Sequence, residues 1–254
     1  MNPSSNNDRH YPRVQRAMRP QVVQEMLNEK LAHCALRFES LEVDYSFYVP
    51  GSNFRIVYRG ELVNGTSRDH QLLFGRIPVG DDHQLRFDKI QRKLEKGRYV
   101  RPTMGEAAYH LPEIGMVLWT FPNDPRLKTL PQLLKPETLQ GVFRSMEHRK
   151  DWDLGAYHYE MARYIPSKRC VLRFEIEWRG PQSRVDMPLA EPSAAEGKSA
   201  SELETIFGKV YESAAETAVA WATLQDLWTA SQKHEDYFHI PRPLHCEEPL
   251  TTLW

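Results

Sequence analysis

Apolar positions along the chain change period several times, and each change marks an element. Val22, Val23, Met26, Leu27 and Leu31 recur at helical spacing and predict a helix over 21–35. From Leu41 the period drops to two. Val43, Tyr45, Phe47 and Val49 alternate with Asp44, Ser46 and Tyr48, which predicts a strand. Pro50-Gly51-Ser52 reads as a turn, Phe54 to Arg59 as a second strand, Asn64-Gly65 as a tight turn and Gln71 to Ile77 as a third strand. Leu85, Ile90 and Leu94 sit among charges at helical spacing. Ala107–His110 and Met116–Phe121 read as two more strands. Pro122 and Pro125 then close the unit, because neither helix nor ladder tolerates them.

The same order then returns. After a partly helical stretch over Leu127–Arg149, Tyr157–Ile165 is strand-like, Pro166-Ser167-Lys168 turns, and Cys170–Trp178 alternates. Gly180–Ser201 is polar and reads as a loop, and Glu204–Tyr211 as a strand. Ser213–Ser231 reads as a helix opened by a Ser213/Glu216 capping box, with Ala215, Val219, Ala222, Leu224 and Trp228 as its apolar side. Phe238–Ile240 and Leu250–Trp254 read as closing strands. Residue by residue, Tyr48-Val-Pro-Gly-Ser-Asn-Phe answers Tyr164-Ile-Pro-Ser-Lys-Arg-Cys. Leu73-Phe-Gly-Arg-Ile77 answers Ile206-Phe-Gly-Lys-Val210, and Leu118-Trp119 answers Leu253-Trp254. An internal duplication explains matches in this order. The predicted fold class is α+β: two tandem units, each an antiparallel five-stranded sheet with one main packed helix. The predicted division is a flexible arm (1–20) and lead-in helix within 1–40, a first unit over 41–134, a connecting helical segment over 135–154 and a second unit over 155–254.

Composition narrows the partners. Among 254 residues, 33 Lys+Arg nearly cancel 34 Asp+Glu, so the basic excess that displaces counterions from a duplex is missing and no nucleic-acid partner is expected. With 41% hydrophobic residues, a disordered acidic chain is excluded. Cys34, Cys170 and Cys246 are odd in number and widely spaced, which suits neither a disulfide framework nor a thiolate metal site. The polar Met1–Arg9 has no signal-peptide core and no apolar run is long enough to span a bilayer. A cytoplasmic protein without a membrane partner is expected.

Tyr164-x-Pro-x-x-Arg-Cys-Val-Leu-Arg-Phe, Phe207-Gly-Lys-Val-Tyr211, Leu224-x-x-Leu-Trp228 and Ile240-Pro-Arg-Pro-Leu244 together resemble the ATP-binding N-terminal lobe of the aminoglycoside phosphotransferase family, within the protein-kinase-like group that includes choline kinase. The resemblance covers residues 155–254. Residues 41–134 look like a degenerate upstream copy, and both units are then kinase N-lobe-like. It implies Mg-ATP as cofactor. Lys209, on the third strand, would hold phosphate and Glu216, on the following helix, would pin that lysine. Gly208 would let nucleotide approach, Ser167 and Lys168 would lie in the phosphate-covering turn, and Trp254 would lead into the adenine-contacting hinge. Arg76 replaces the lysine in the first copy, which is expected not to bind ATP.

By the same resemblance, catalysis needs an H-x-D-x-x-x-x-N loop and a later metal-binding Asp. Neither occurs in these 254 residues. His148-Arg-Lys-Asp151, Asp151-Trp-Asp-Leu-Gly155 and His234-Glu-Asp236 have the wrong spacing or order, so no catalytic or metal residue is assigned. Three readings follow. One is the nucleotide-binding N-terminal portion of a small-molecule phosphotransferase, with its catalytic lobe supplied in cis or in trans and a small-molecule acceptor. Another is a non-catalytic kinase-like binding or interaction module. The last is an α+β protein unrelated to that family.

Overall fold

The computed structural model describes residues 11–48, 53–180, 201–233 and 240–254. The chain divides into two compact units, 1–132 and 133–254. The first contains α1 (Tyr11–Ala17), α2 (Pro20–Leu31), β1 (Arg37–Phe47), β2 (Phe54–Asn64), β3 (Ser67–Ile77), α3 (His83–Glu95), β4 (Ala108–Leu111) and β5 (Met116–Thr120). A short α4 (Leu130–Leu133) spans the division. The second contains α5 (Pro136–Arg144), β6 (Asp153–Ile165), β7 (Arg169–Arg179), β8 (Ser201–Tyr211), α6 (Ala214–Lys233), β9 (Cys246–Glu247) and β10 (Thr252–Leu253).

Each unit is one antiparallel five-stranded sheet, ordered β1-β2-β3-β5-β4 in the first and β6-β7-β8-β10-β9 in the second. The shared order bears out the repeat, and the register refines it. Ile56 faces Gly75 just as Leu172 faces Gly208. One match slips by a residue. Val117 lies opposite Arg76 and Leu253 opposite Lys209, so Trp254 corresponds to Leu118 rather than to Trp119.

Several elements depart from expectation, each through a packing contact or a strand irregularity. Residues 11–17, read as part of a flexible arm, form α1. Val14 and Ala17 are buried, and Tyr58 donates its hydroxyl to the Ala17 carbonyl at 2.6 Å. That burial lifts the Tyr58 phenol far above its ordinary pKa and keeps it a donor. In β1 the apolar alternation of Val43, Tyr45 and Phe47 does not give a buried face. Irregularities at Phe38/Ser40 and Val43/Tyr45 re-aim the strand, burying Phe38 and Leu41 and leaving Tyr45 and Phe47 exposed. Asn28 of α2 fixes the start of this strand, accepting from Phe38 N at 2.7 Å and donating to Phe38 O at 3.1 Å. The stretch over 135–154 is no connector. Its helix α5 buries Leu139, Val142 and Phe143, and Phe143 meets Tyr157, Phe174 and Trp254 edge-on.

In α6 the expected apolar side is wrong at three of five positions. Thr217 and Ser231 are buried, Leu224 and Trp228 are half-buried, and Ala215, Val219 and Ala222 face solvent. Charges are too few on this helix for its sequence to choose a face. Phe238 and His239, assigned to a closing strand, lie outside the described residues, and Ile240 is in no strand. The edge strand that pairs with β10 is Cys246–Glu247.

Candidate functional site

Alternation along β7 and β8 sends side chains to two faces. Leu172, Phe174, Ile206 and Val210 turn toward the α5 core and are buried. Val171, Phe207, Lys209 and Tyr211 turn the other way, and there α6 covers the sheet only in part. The result is a groove of about 700 Å³, bordered by Leu224 and Leu227 of α6 and by the Pro241–Leu244 segment. Phe207 and Leu227 remain exposed at its sides.

Three charged groups give the groove its polarity. Glu204 is already engaged: Arg149 Nε donates to it at 3.0 Å and His148 Nε2 lies 3.1 Å away. Arg149 also grips Glu202 with both terminal nitrogens at 2.9 and 2.8 Å and stacks over Trp152 and Trp178. These carboxylates raise the Arg149 pKa above its ordinary value, and the guanidinium holds Glu202 below the usual carboxylate range. The cations are less committed. Lys209 Nζ lies 5.1 Å from the Tyr211 ring centroid, and Arg242 stands at the rim. Among the described residues Lys209 has no carboxylate within ion-pair distance.

The residues expected to build a nucleotide site are therefore only partly assembled. Lys209 and Trp254 both border the groove. Glu216 does not pin Lys209. It is exposed in the first turn of α6, and its backbone N–H donates to Ser213 Oγ at 3.3 Å, which is the capping half of its expected role. Gly208 faces the core, where a Cβ would meet the Trp254 ring at 2.7 Å, so its smallness serves packing against a side chain that itself borders the groove. Ser167, buried with φ +61°, and exposed Lys168 form the β6–β7 turn and do not border the groove. Arg173 ion-pairs with Glu160 and Glu175, as suits a strand surface charge.

Sequence reasoning passed over Phe207, Arg242 and Leu244 as site residues. The signal was present: Phe207 shares the face of Lys209 by strand alternation, and Arg242 sits between two prolines that stiffen its backbone. The Cys246 thiol is pushed up by burial and by Glu248 and Glu247, which holds it protonated and blunts it as a nucleophile. Among the described residues no three His, Cys, Asp or Glu side chains converge to hold a metal ion, and no helix is long and apolar enough to cross a membrane. Comparison with protein-family models, curated proteins and solved structures returns no match to this chain.

Proposed function

We propose that the second unit is a nucleotide-binding module of the kinase-like type, acting by binding rather than by catalysis. The observation that carries this reading is the groove itself: an apolar slot with Lys209 at one side and Arg242 at its rim, while its carboxylate, Glu204, is already neutralised by Arg149. A planar base fits against Phe207, Leu224 and Leu227. The phosphates lie toward Lys209 and Arg242, where charge-assisted hydrogen bonds are strongest. Mg²⁺ would arrive with the nucleotide phosphates, since the described residues supply no ligand set of their own.

Calorimetric titration with Mg-ATP tests the reading. Lys209→Ala is expected to weaken binding about tenfold, roughly 1.4 kcal/mol. Gln in place of Glu216 is expected to leave affinity unchanged, because that side chain is remote from the groove. Absence of Mg-ATP binding by the unmodified chain overturns the proposal.

The phosphotransferase reading keeps one specific support. A cation on the third strand of a three-strand, helix, two-strand unit is where kinase-like enzymes carry their phosphate-holding lysine. It demands turnover. ATP consumption that depends on an added sugar, amino alcohol or aminoglycoside, and is lost in Lys209→Ala, would favour it over the binding module.

A further inference from the structure

Among its described residues the first unit gathers arginines that outnumber the carboxylates facing them. Arg55 and Arg76 are directly opposed on β2 and β3, and their side chains leave the sheet on the same face. Like charges in such a cross-strand pair destabilise a sheet when nothing lies between them. Arg86, in the first turns of α3, and Arg126, beyond β5, also act on the charge of Arg76. Arg76 is only partly exposed. Its Nε is buried without a hydrogen-bond partner, and so is that of Arg86.

The nearby acids are largely spent. Asp82 Oδ2 ion-pairs with Arg86 at 2.7 Å, and its Oδ1 is buried without a partner. Asp81 pairs with Arg13 at 2.9 Å. Asp124 Oδ1 accepts from the backbone N–H groups of Arg126 and Leu127 at 2.7 and 3.0 Å. Among the described residues, Asp82 thus stands against the three guanidinium groups of Arg55, Arg76 and Arg86. Asp82 is also the residue at which α3 begins, its side chain makes no capping hydrogen bond, and the first turn contains no acid. The orphan N–H groups and positive dipole end of a 13-residue helix therefore add to the same positive region.

We propose that Arg55, Arg76 and Arg86, with the N-terminus of α3, form a binding site for a tetrahedral phosphate dianion, free or as a terminal phosphomonoester. Guanidinium groups offer the forked donors that match phosphate oxygens, and an anion seated among them turns a repulsive arrangement into an attractive one. Burial and the neighbouring guanidinium charges pull the Arg76 pKa below its ordinary value, the strain that a bound dianion relieves. The site belongs to the first unit and does not depend on the nucleotide reading of the second.

The full chain is titrated calorimetrically with inorganic phosphate and, separately, with phenyl phosphate, chloride holding ionic strength constant. Thermal unfolding is followed in parallel. Saturable binding of either ligand, with a raised unfolding temperature, is the expected result, and the ligand that binds identifies the source. Arg76→Gln and Arg55→Gln should each weaken binding at least tenfold, while Arg92→Gln, on an exposed part of α3, should leave it unchanged. Without phosphate, Arg55→Gln should unfold no lower than the unmodified chain, because it removes a repulsion. Failure of both ligands to bind saturably, or equal binding by Arg55→Gln, overturns the proposal. Because these variants leave the groove beside Lys209 intact, Mg-ATP titration of Arg55→Gln separates failure here from failure of the nucleotide reading.

Discussion

Gly75 and Gly208 show how much one residue decides when two strands cross a buried side chain. A Cβ at Gly208 would lie 2.7 Å from the Trp254 ring, and Phe143 and Phe174 hold that ring at 5.5 and 5.2 Å. The ring cannot retreat, so Gly208→Ala is expected to cost about 1–3 kcal/mol of overpacking. Urea unfolding should show a lower midpoint with an unchanged slope; a midpoint equal to that of the unmodified protein would refute the packing role. A second residue-scale device is the pair His83 Nδ1 and His110 Nε2, 2.8 Å apart, in which one ring donates and the other accepts. Burial, then the positive charges of His83 and Lys30, pull the His110 pKa below its ordinary value, while Glu113 and Asp88 oppose them. Phe87 stacks on the same ring. The unfolded chain therefore binds a proton near pH ~6.5 that the folded chain does not, and the stability this group contributes is full above that pH and lost as pH falls below it. Melting temperatures measured between pH 7.5 and 5.5 should decline more steeply for the unmodified chain than for His110→Gln. Parallel profiles would remove His110 from the account.

Among the elements, α5 and α6 make opposite contributions to the second unit. Phe143 of α5 is fully buried among Tyr157, Phe174 and Trp254, so Phe143→Ala is expected to cost about 3–5 kcal/mol. Val219 of α6 is 69% exposed, and Val219→Ala should change stability by less than about 0.5 kcal/mol. Chemical denaturation of the two variants checks the contrast, and comparable losses would mean that α6 is as much a core element as α5. The same contrast explains what was legible in the sequence. Strands such as β2, β3, β7 and β8 were legible because each alternates or runs apolar between clear turn residues. Gly65, with φ +57°, closes its hairpin as its residue type demands, although it takes the first place of the two-residue loop with Thr66. The inward phase of β1 was not legible, because an irregularity shifts every later side chain and leaves no mark in composition. The face of α6 was hidden by alanines on all sides. At the candidate site, Lys209 and its strand could be read locally. The inward turn of Gly208 follows from the same alternation, but its contact with Trp254 and the distance of Glu216 from the groove depend on how α6 and Trp254 pack, which no local pattern encodes.

At the scale of the molecule, each unit closes its own sheet and buries its own aromatic cluster: Phe38, Tyr58 and Tyr109 in the first, and Phe143, Phe174, Trp178 and Trp254 in the second. Among the described residues every strand finds its partners within its unit, and the registers Val63 opposite Arg68 and Arg179 opposite Ser201 correspond although the β7–β8 connection is much the longer. Near-cancellation of charge over the whole chain then carries a specific meaning. The surface is not generally attractive to anions, so the anion binding proposed for each unit would rest on placed cations: Lys209 and Arg242 in one, and Arg55, Arg76 and Arg86 in the other. A unit with a complete sheet and core can fold alone. Fragments 1–132 and 133–254, expressed separately, are therefore expected to unfold cooperatively. The first should retain phosphate binding and the second Mg-ATP binding, each within about threefold of the full chain, a difference of roughly 0.7 kcal/mol. Heat-capacity scans and the two titrations check this. A fragment that shows no cooperative transition would mean that its sheet and core are not sufficient, and that the duplication produced two halves of one folding unit.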